Sequence, residues 1–172
     1  MENRKLKYEL KNFDMDSLEL DTFGESLLLC IPRIKKICKH IDNQVHDMAV
    51  TAFIPYMTAM DQYNAIIDNM LLKSELMNLY RLCVEWYREL SDDYKKIFKA
   101  YFIKHQRKSS IDIMAQRTVC RAIDKMTRSF VEYLRTMLDG NEKELIKNPF
   151  IYKIYITRLK SKENYKYRGR WN

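Results

Sequence analysis

Apolar residues recur at helical spacing along most of the chain. Between about Ser26 and Phe53 the spacing alternates between three and four residues, which is typical of a helix that packs along one apolar seam. The members of this seam are Leu27, Ile31, Ile34, Cys38, Ile41, Val45, Met48 and Ala52. A second predicted helix, from about Met60 to Leu90, has a similar seam. Its members are Leu72, Leu76, Leu79, Cys83, Trp86 and Leu90. Two such helices joined by a short link around Pro55 predict an antiparallel helical hairpin over residues 24–90.

Shorter helical elements are predicted after residue 90. Ser91 is followed by two aspartates, a pattern typical of a helix N-cap, so we expect a helix from Tyr94 to about His105. A polar linker, KHQRKSS, and the short segment IDIMA lead to a longer helix from about Gln116 to Leu138. Gly140 follows as a natural stop for that helix.

The two ends of the chain are mostly polar. Residues 1–23 have sparse apolar positions, and this pattern predicts an extended or frayed arm. Residues 141–172 form a basic, aromatic segment in which FIYKIYITRLK fits either a strand or a short helix. We expect the last twelve residues to be disordered, or docked onto the body of the protein or onto nucleic acid.

Few residues in the sequence break helices. The 172 residues include only 3 glycines and 3 prolines, with none between Tyr56 and Asp139. Sheets need turn residues, so this composition argues against a β-sandwich, a β-barrel or a doubly wound α/β fold. No two glycines lie close together, which excludes the glycine-rich phosphate loops of Rossmann, Walker and kinase proteins. The predicted fold class is all-α: a long helical hairpin, a helix-turn-helix-like domain over residues 91–140, and a basic tail.

Several function classes lack their sequence signature. The chain has no run of 18 apolar residues, so we expect no membrane span, and the N-terminal charges are not followed by the apolar stretch of a signal peptide. The cysteines have unrelated spacings, which predicts free thiols in a cytoplasmic protein. They are Cys30, Cys38, Cys83 and Cys120. The histidines have no metal-ligand spacing with Cys38 or with one another, and they are His40, His46 and His105. We therefore expect no bound metal, no cofactor and no enzymatic activity.

Charge is distributed unevenly along the sequence. The net charge is +8 overall, with −5 over residues 1–93 and +13 over residues 94–172. A basic half beside an acidic half indicates a nucleic-acid-binding surface on one side and a different role on the other.

Most of the sequence evidence for a nucleic-acid-binding surface lies on the predicted helix from Gln116. At about 100° per residue its apolar side chains fall on one face. They are Val119, Ile123, Met126, Phe130, Leu134 and Met137. The opposite face is cationic and about four turns long, and we call it the basic face. It consists of Arg117, Arg121, Lys125, Arg128 and Arg135. Asp124 and Glu132 are expected to lie off its centre. Fixed positive charges along a rigid helix suit phosphates, and arginine also reads guanine edges. Thr118 on this helix, with Arg107 and Lys108 in the preceding linker, completes the predicted DNA-binding set.

A sequence motif overlaps this helix. The stretch LSDDYKKIFKAYFIK, a polar linker and then AQRTVCRAIDKMTRSFVEYL resembles region 4 of sigma-70-type factors. It is also similar to the region-4-like regulators of phages and prophages, such as the ArpU-like family. The residues that match the family's recognition helix are Arg117, Thr118, Val119, Arg121, Ile123 and Lys125. The resemblance spans roughly residues 25–138 and implies a helix-turn-helix in which residues 109–115 supply both the first helix and the turn.

Together these features predict a DNA-binding transcriptional regulator or sigma-like factor of a phage or mobile element. Double-stranded DNA is the predicted partner, RNA polymerase is a second candidate, and the helices over residues 24–90 are candidates for homodimer formation. The alternative is a helical protein-interaction module, an inhibitor or adaptor that uses its basic face on an acidic partner.

Overall fold

All the regular secondary structure in the described part of the chain is helical. The computed structural model describes residues 2–51 and 54–168, with side chains for residues 5–51 and 54–165, and no strand occurs among them. This confirms the predicted all-α class. The α-helices are α1 (Glu2–Lys11), α2 (Leu20–Val50), α3 (Ala59–Arg88), α4 (Asp92–Phe98), α5 (Gln116–Met137) and α6 (Pro149–Arg168). Three short turns of helix join them: a π-helical turn at Lys99–Ile103 and 3₁₀ turns at Lys108–Ser110 and Glu142–Lys147. None of the described helices is long and apolar enough to cross a bilayer.

The chain divides into two compact units. One, the terminal unit, comprises Met1–Cys30 and Trp86–Asn172; the other, the middle unit, is Ile31–Glu85. The terminal unit has 25 lysines and arginines against 17 aspartates and glutamates, whereas the middle unit has six of each. The net positive charge of the chain therefore belongs to the terminal unit.

Within the middle unit, contacts between α2 and α3 run in opposite order along the two helices. The Lys73 ammonium lies 2.6 Å from the Asp42 carboxylate, and the Lys35 ammonium lies 5.5 Å from the centre of the Tyr80 ring. Near the ends of the helices, the Gln62 side chain donates to the Thr51 carbonyl at 2.9 Å. The buried side chains between them come from the predicted seams and include Ile34, Cys38, Ile41, Leu76, Leu79 and Cys83. Val45, Met48 and Leu72 are only partly buried, and Ala52 lies outside the described residues.

In the terminal unit the core is built on α5. Buried apolar side chains of α2, α4, the π-helical turn and α6 share this core with the buried face of α5, among them Phe23, Leu27, Phe98, Phe102, Ile151 and Tyr155. At the end of α3, the Trp86 ring lies 4.9 Å from the Phe130 ring, and its indole N–H donates to the Ser129 hydroxyl at 3.1 Å. These contacts set the rotation of α5 and therefore decide which of its side chains face outward.

The ends of the chain differ from the sequence-based expectation. Residues 2–11 form a helix, and the Phe13 ring packs edge-on against Tyr152 at 5.5 Å. Phe23, in the first turns of α2, is fully buried. The prediction of an extended or frayed arm over residues 1–23 was therefore wrong, because Phe13 packs against α6 and Phe23 is buried in the core.

The C-terminal segment is also more regular than expected. The ambiguous stretch FIYKIYITRLK is helical and belongs to α6, which continues to Arg168. The disorder expected for the last twelve residues was wrong as far as Arg168, and residues 169–172 lie outside the described part of the chain. Lys162, within that stretch, donates to the Thr22 hydroxyl at 2.7 Å, so this part of the tail is docked on α2.

The linker before α5 is not a tight turn. Residues 104–115 separate the π-helical turn from α5, and their only helical element is the 3₁₀ turn Lys108–Ser110. His105 has a positive φ of 54°, and Ile111 is buried, which fixes this segment in an irregular path. The expectation that residues 109–115 supply both a first helix and a turn was therefore wrong. A helix-turn-helix joins its helices by a turn of three or four residues.

α2 approaches α5 closely at a glycine. A Cβ atom at Gly24 would lie 2.7 Å from the Val131 Cγ2 atom and 2.8 Å from the Thr127 Cγ2 atom. Both neighbours are β-branched and therefore stiff at χ1, so neither side chain can move away easily. A glycine inside a helix normally destabilises it, and here the close approach of the two helices explains its presence.

We expect Gly24→Ala to lower the melting temperature. The new methyl group gains about 1 kcal/mol of helix propensity, whereas overpacking against two stiff side chains costs about 1–3 kcal/mol. Val131→Ala removes one of the clashing methyl groups, so the double variant should lose less stability than the sum of the two single variants. Thermal and urea unfolding measure both effects. A Gly24→Ala variant more stable than wild type would contradict the close packing.

Candidate nucleic-acid interface

The predicted division of α5 into two faces is present in the structure. The apolar set is buried at Val119, Ile123, Met126, Phe130 and Leu134. Met137, predicted as the last member of this set, is 46% exposed because it is the final residue of the helix. The burial of the other five orients the opposite side of α5 toward solvent.

Four cations of the basic face are exposed. They are Arg117, Arg121, Lys125 and Arg128, and Thr118 is exposed beside them. From Arg117 to Arg128 they extend over about 16 Å of helix, at 1.5 Å per residue. Arg117 and Arg121 have no ion pair with any described residue.

The other two cations have weak neighbours. The Lys125 ammonium lies 5.8 Å from the centre of the Tyr94 ring. The Arg128 Nε atom lies 3.4 Å from the Asp21 carboxylate, but these side chains are 71% and 62% exposed. A pair so open to solvent contributes little, so Arg128 can exchange Asp21 for another anion at small cost.

The N-terminus of α5 adds to the positive potential beside Arg117. Its N-cap residue is Ala115, which has no side-chain oxygen to accept from the first N–H groups of the helix. The first turn contains no acidic residue. The positive end of the helix dipole and two exposed arginines therefore lie at the same end of α5.

Arg135 makes a different set of contacts from those predicted. Its guanidinium binds Glu132 at 2.8 Å and Glu142 at 2.9 Å, and the Glu142 side chain is only 3% exposed. The hydrogen bond to Glu142, with the nearby charge of Glu132, raises the pKa of Arg135. Arg135 thus links the following 3₁₀ turn to α5, and its guanidinium is already paired with two protein carboxylates.

The acidic residues of α5 lie closer to the basic face than expected. A shallow depression on the helix is lined by Arg121, Asp124, Lys125, Arg128, Ser129 and Glu132. Both carboxylates therefore lie beside cations of the basic face, and Glu132 points nearly the same way as Arg121, which precedes it by 11 residues. The cationic surface therefore ends at Arg128, about one turn before Glu132.

The two predicted cations of the linker differ in their surroundings. Arg107 is exposed. Lys108 is half-buried, its ammonium lies 5.4 Å from the centre of the Tyr101 ring, and it lines a small polar cavity with Glu25 and Lys162. Of the two, Arg107 is the more accessible to a ligand in solution.

A buried ionic cluster, which the sequence did not reveal, lies on the other side of this cavity. The Glu25 carboxylate is 10% exposed, accepts a hydrogen bond from the Tyr101 hydroxyl at 2.5 Å and pairs with the Arg158 guanidinium. Arg158 also donates to the Tyr101 hydroxyl at 3.1 Å, and the Lys162 ammonium lies 3.9 Å from Glu25. The cluster joins α2, the π-helical turn and α6.

The cluster changes the acid–base properties of its members. Burial and then the Glu25 carboxylate raise the pKa of Tyr101, so its hydroxyl stays protonated and remains a donor. Burial lowers the pKa of Arg158, but the charge and hydrogen bond of Glu25 outweigh that effect and the net pKa is raised. A signal for the cluster exists in the sequence, since Glu25 interrupts the apolar run from Phe23 to Ile31. Its partner, 133 residues away, has no such signal.

Comparison with models of known protein families, with curated proteins and with solved structures gave no match to this chain. The resemblance to sigma region 4 therefore stays a prediction from the motif, and the site has to be judged by its own chemistry.

We expect Arg158→Met to destabilise the terminal unit, because it leaves the Glu25 carboxylate buried without its main partner. The loss should be about 2–3 kcal/mol, below that of a fully enclosed pair since the Arg158 side chain is 34% exposed. Urea unfolding of Arg158→Met, Glu25→Gln and the double variant forms a thermodynamic cycle. The double variant should regain part of the loss.

Lys162→Met serves as the control for the loss of a positive charge on the same helix. Lys162 has a similar exposure of 37% but lies farther from Glu25, so its variant should lose clearly less stability. Equal losses of unfolding free energy for the two variants would show that the Glu25–Arg158 ion pair contributes no more stability than Lys162 does.

Proposed function

We propose that this chain binds double-stranded DNA through the N-terminal half of α5. The observation that carries the proposal is the set of exposed cations Arg117, Arg121, Lys125 and Arg128 on one side of a helix whose other side is buried. A rigid helix that presents cations at regular intervals can neutralise successive phosphates without the cost of ordering its backbone. Arg135 has protein carboxylates as partners and is left out of this set.

In the proposed complex the two ends of this surface have different tasks. Lys125 and Arg128 contact phosphates and hold the helix along the groove, while Arg117, Thr118 and Arg121 reach toward base edges from the first turns. Phosphates near the start of α5 would also accept from its uncapped N–H groups. Arg107, exposed in the preceding linker, adds one further phosphate contact.

A role in transcription follows from the motif AQRTVCRAIDKMTRSFVEYL and from DNA binding together. The resemblance to sigma region 4 suggests a regulator or sigma-like factor of a phage or mobile element, with RNA polymerase as a second partner. The long linker over residues 104–115 means that α5 would enter the groove without the tight turn of a standard helix-turn-helix.

The alternative is a protein-interaction module, in which the same cations bind an acidic protein surface. Glu132 and Asp124, at the edge of the basic face, are compatible with a partner that carries both signs of charge. The two functions differ in their response to duplex DNA, since an adaptor has no duplex affinity at physiological salt.

We expect the double variant Lys125→Ala/Arg128→Ala, which removes the two proposed phosphate contacts of α5, to bind duplex DNA at least tenfold more weakly than wild type. Fluorescence anisotropy with labelled duplexes of mixed sequence, titrated at several salt concentrations, measures the affinity and its salt slope. Removing two phosphate contacts should reduce the slope of log K against log salt by about 2.

The matched control is Lys153→Ala/Lys160→Ala, which removes two exposed positive charges from α6 in the same unit. It should lose much less affinity than the α5 variant. Equal losses would mean that only the overall charge matters. A wild-type protein that does not bind duplexes at low salt would reject DNA binding and favour the adaptor.

A further inference from the structure

α3 has a second line of apolar side chains besides the one that packs in the middle unit. Its members are spaced three and four residues apart, and we call them the outer stripe. They are Met60, Tyr63, Ile67, Met70, Ser74 and Met77. At about 100° per residue the stripe lies on the side of the helix opposite Leu76, Leu79 and Cys83. Its large side chains are open to solvent, from 38% at Ile67 to 67% at Met60.

The outer stripe carries no charge over its whole length. Its flanks include the uncharged Asn64, Leu71 and Asn78, and Leu71 is 64% exposed. Lys73 also flanks the stripe, and its ammonium pairs with the Asp42 carboxylate within the same unit. The exposed side of α2 in the same unit is polar, as expected for a surface in water. Its residues include Lys36, Lys39, Asn43 and His46. The contrast indicates that the outer stripe is covered by another molecule.

The size of the stripe fits a protein interface. The exposed parts of its side chains and of Leu71 amount to roughly 600 Å², near the upper end for an apolar patch on a monomer and close to the ~800 Å² that each partner gives to a stable complex. Most side chains of the seams that pair α2 with α3 are buried within the middle unit, so the outer stripe is the larger exposed apolar surface of α3.

We propose that the outer stripe binds the outer stripe of a second copy of this chain, with the two α3 helices antiparallel. A two-fold axis brings identical surfaces together, and a stripe without charge avoids like-charge repulsion in that arrangement. The middle unit as a whole has six cations and six anions, so the middle units of two copies do not repel each other through net charge. This inference is independent of DNA binding.

The spacing of the stripe sets the register of the two helices. With the axis between Ile67 and Met70, these two residues face each other across the interface, and Met60 faces Met77. The large Tyr63 side chain then faces the small Ser74 of the second copy, which lets the two surfaces interdigitate. Arg81 and Arg88 continue the line of the stripe. In a parallel pair each of them would lie close to the same arginine of the second copy, where like charges repel.

Sedimentation velocity of the full chain tests the surface. We expect a wild-type dimer at roughly 100 µM and a Met70→Glu variant whose dimer dissociation constant is at least tenfold higher. Asn43→Glu is the matched control, because it places the same charge on an exposed position of α2 in the same unit and should dimerise like wild type. Circular dichroism checks that each variant keeps its helices.

Cross-linking tests the register. Cys30, Cys38 and Cys83 are buried, and burial raises the pKa of Cys38 and brings that of Cys83 to about 12, so these thiols are poorly reactive. In a Cys120→Ser background, Tyr63→Cys/Ser74→Cys should form covalent dimers under mild oxidation, whereas neither single cysteine variant should.

A wild-type protein that stays monomeric at these concentrations overturns the proposal, and so does a folded Met70→Glu variant that dimerises like wild type. If Met70→Glu fails to fold, Met60→Glu at the more exposed end of the stripe tests the same surface, and it should also weaken the dimer. Efficient cross-linking of the single cysteine variants would reject the antiparallel register. None of these results bears on duplex affinity, so the DNA-binding proposal is decided separately.

Discussion

Gly24 and Glu25 are neighbours on α2, and their contacts connect four elements of the terminal unit: α2, α5, the π-helical turn and α6. The missing side chain of Gly24 lets α2 come within van der Waals contact of Thr127 and Val131 on α5. The carboxylate of Glu25 binds groups from the π-helical turn and from α6. Packing and charge pairing therefore depend on the same turn of helix. The exposed direction of the basic face is a consequence, since α5 can present its cations outward only while its opposite side is held against these elements.

This arrangement also changes how the charge of the sequence should be interpreted. The acidic first part of the chain and the basic last part meet within one unit, where Glu19 and Glu25 pair with Lys162 and Arg158. Part of the positive charge of residues 94–172 is therefore balanced by protein carboxylates. Arg117, Arg121 and Lys125 in the first three turns of α5 have no ion pair with a described residue, so they stay available to an anion.

The sequence predicted the long helices well, because their apolar periodicity extends over many turns and is set by local geometry. The bounds of α5 agree with the prediction to within one residue. It did not predict the helices at the two ends, since Phe13 and Tyr152 acquire a partner only through a contact across 139 positions of sequence. For the same reason it placed Arg135 on the basic face, whereas a buried carboxylate from the following turn binds it. The position of Glu132 could have been predicted from the helical angle alone, because it follows Arg121 by 11 residues and so points nearly the same way.

The pairing of Glu25 with Arg158 has a consequence for how the protein is made. A ribosome synthesises the whole middle unit before it reaches α5 and α6, and the contacts of that unit join residues close in sequence, which favours early folding. Glu25 leaves the ribosome long before Arg158 exists, so its carboxylate has to stay hydrated until α6 is complete. The terminal unit therefore completes its folding last, because the Glu25 carboxylate gains its partner Arg158 only when α6 has been synthesised. A prematurely terminated chain would keep this half of α2 exposed and open to proteolysis.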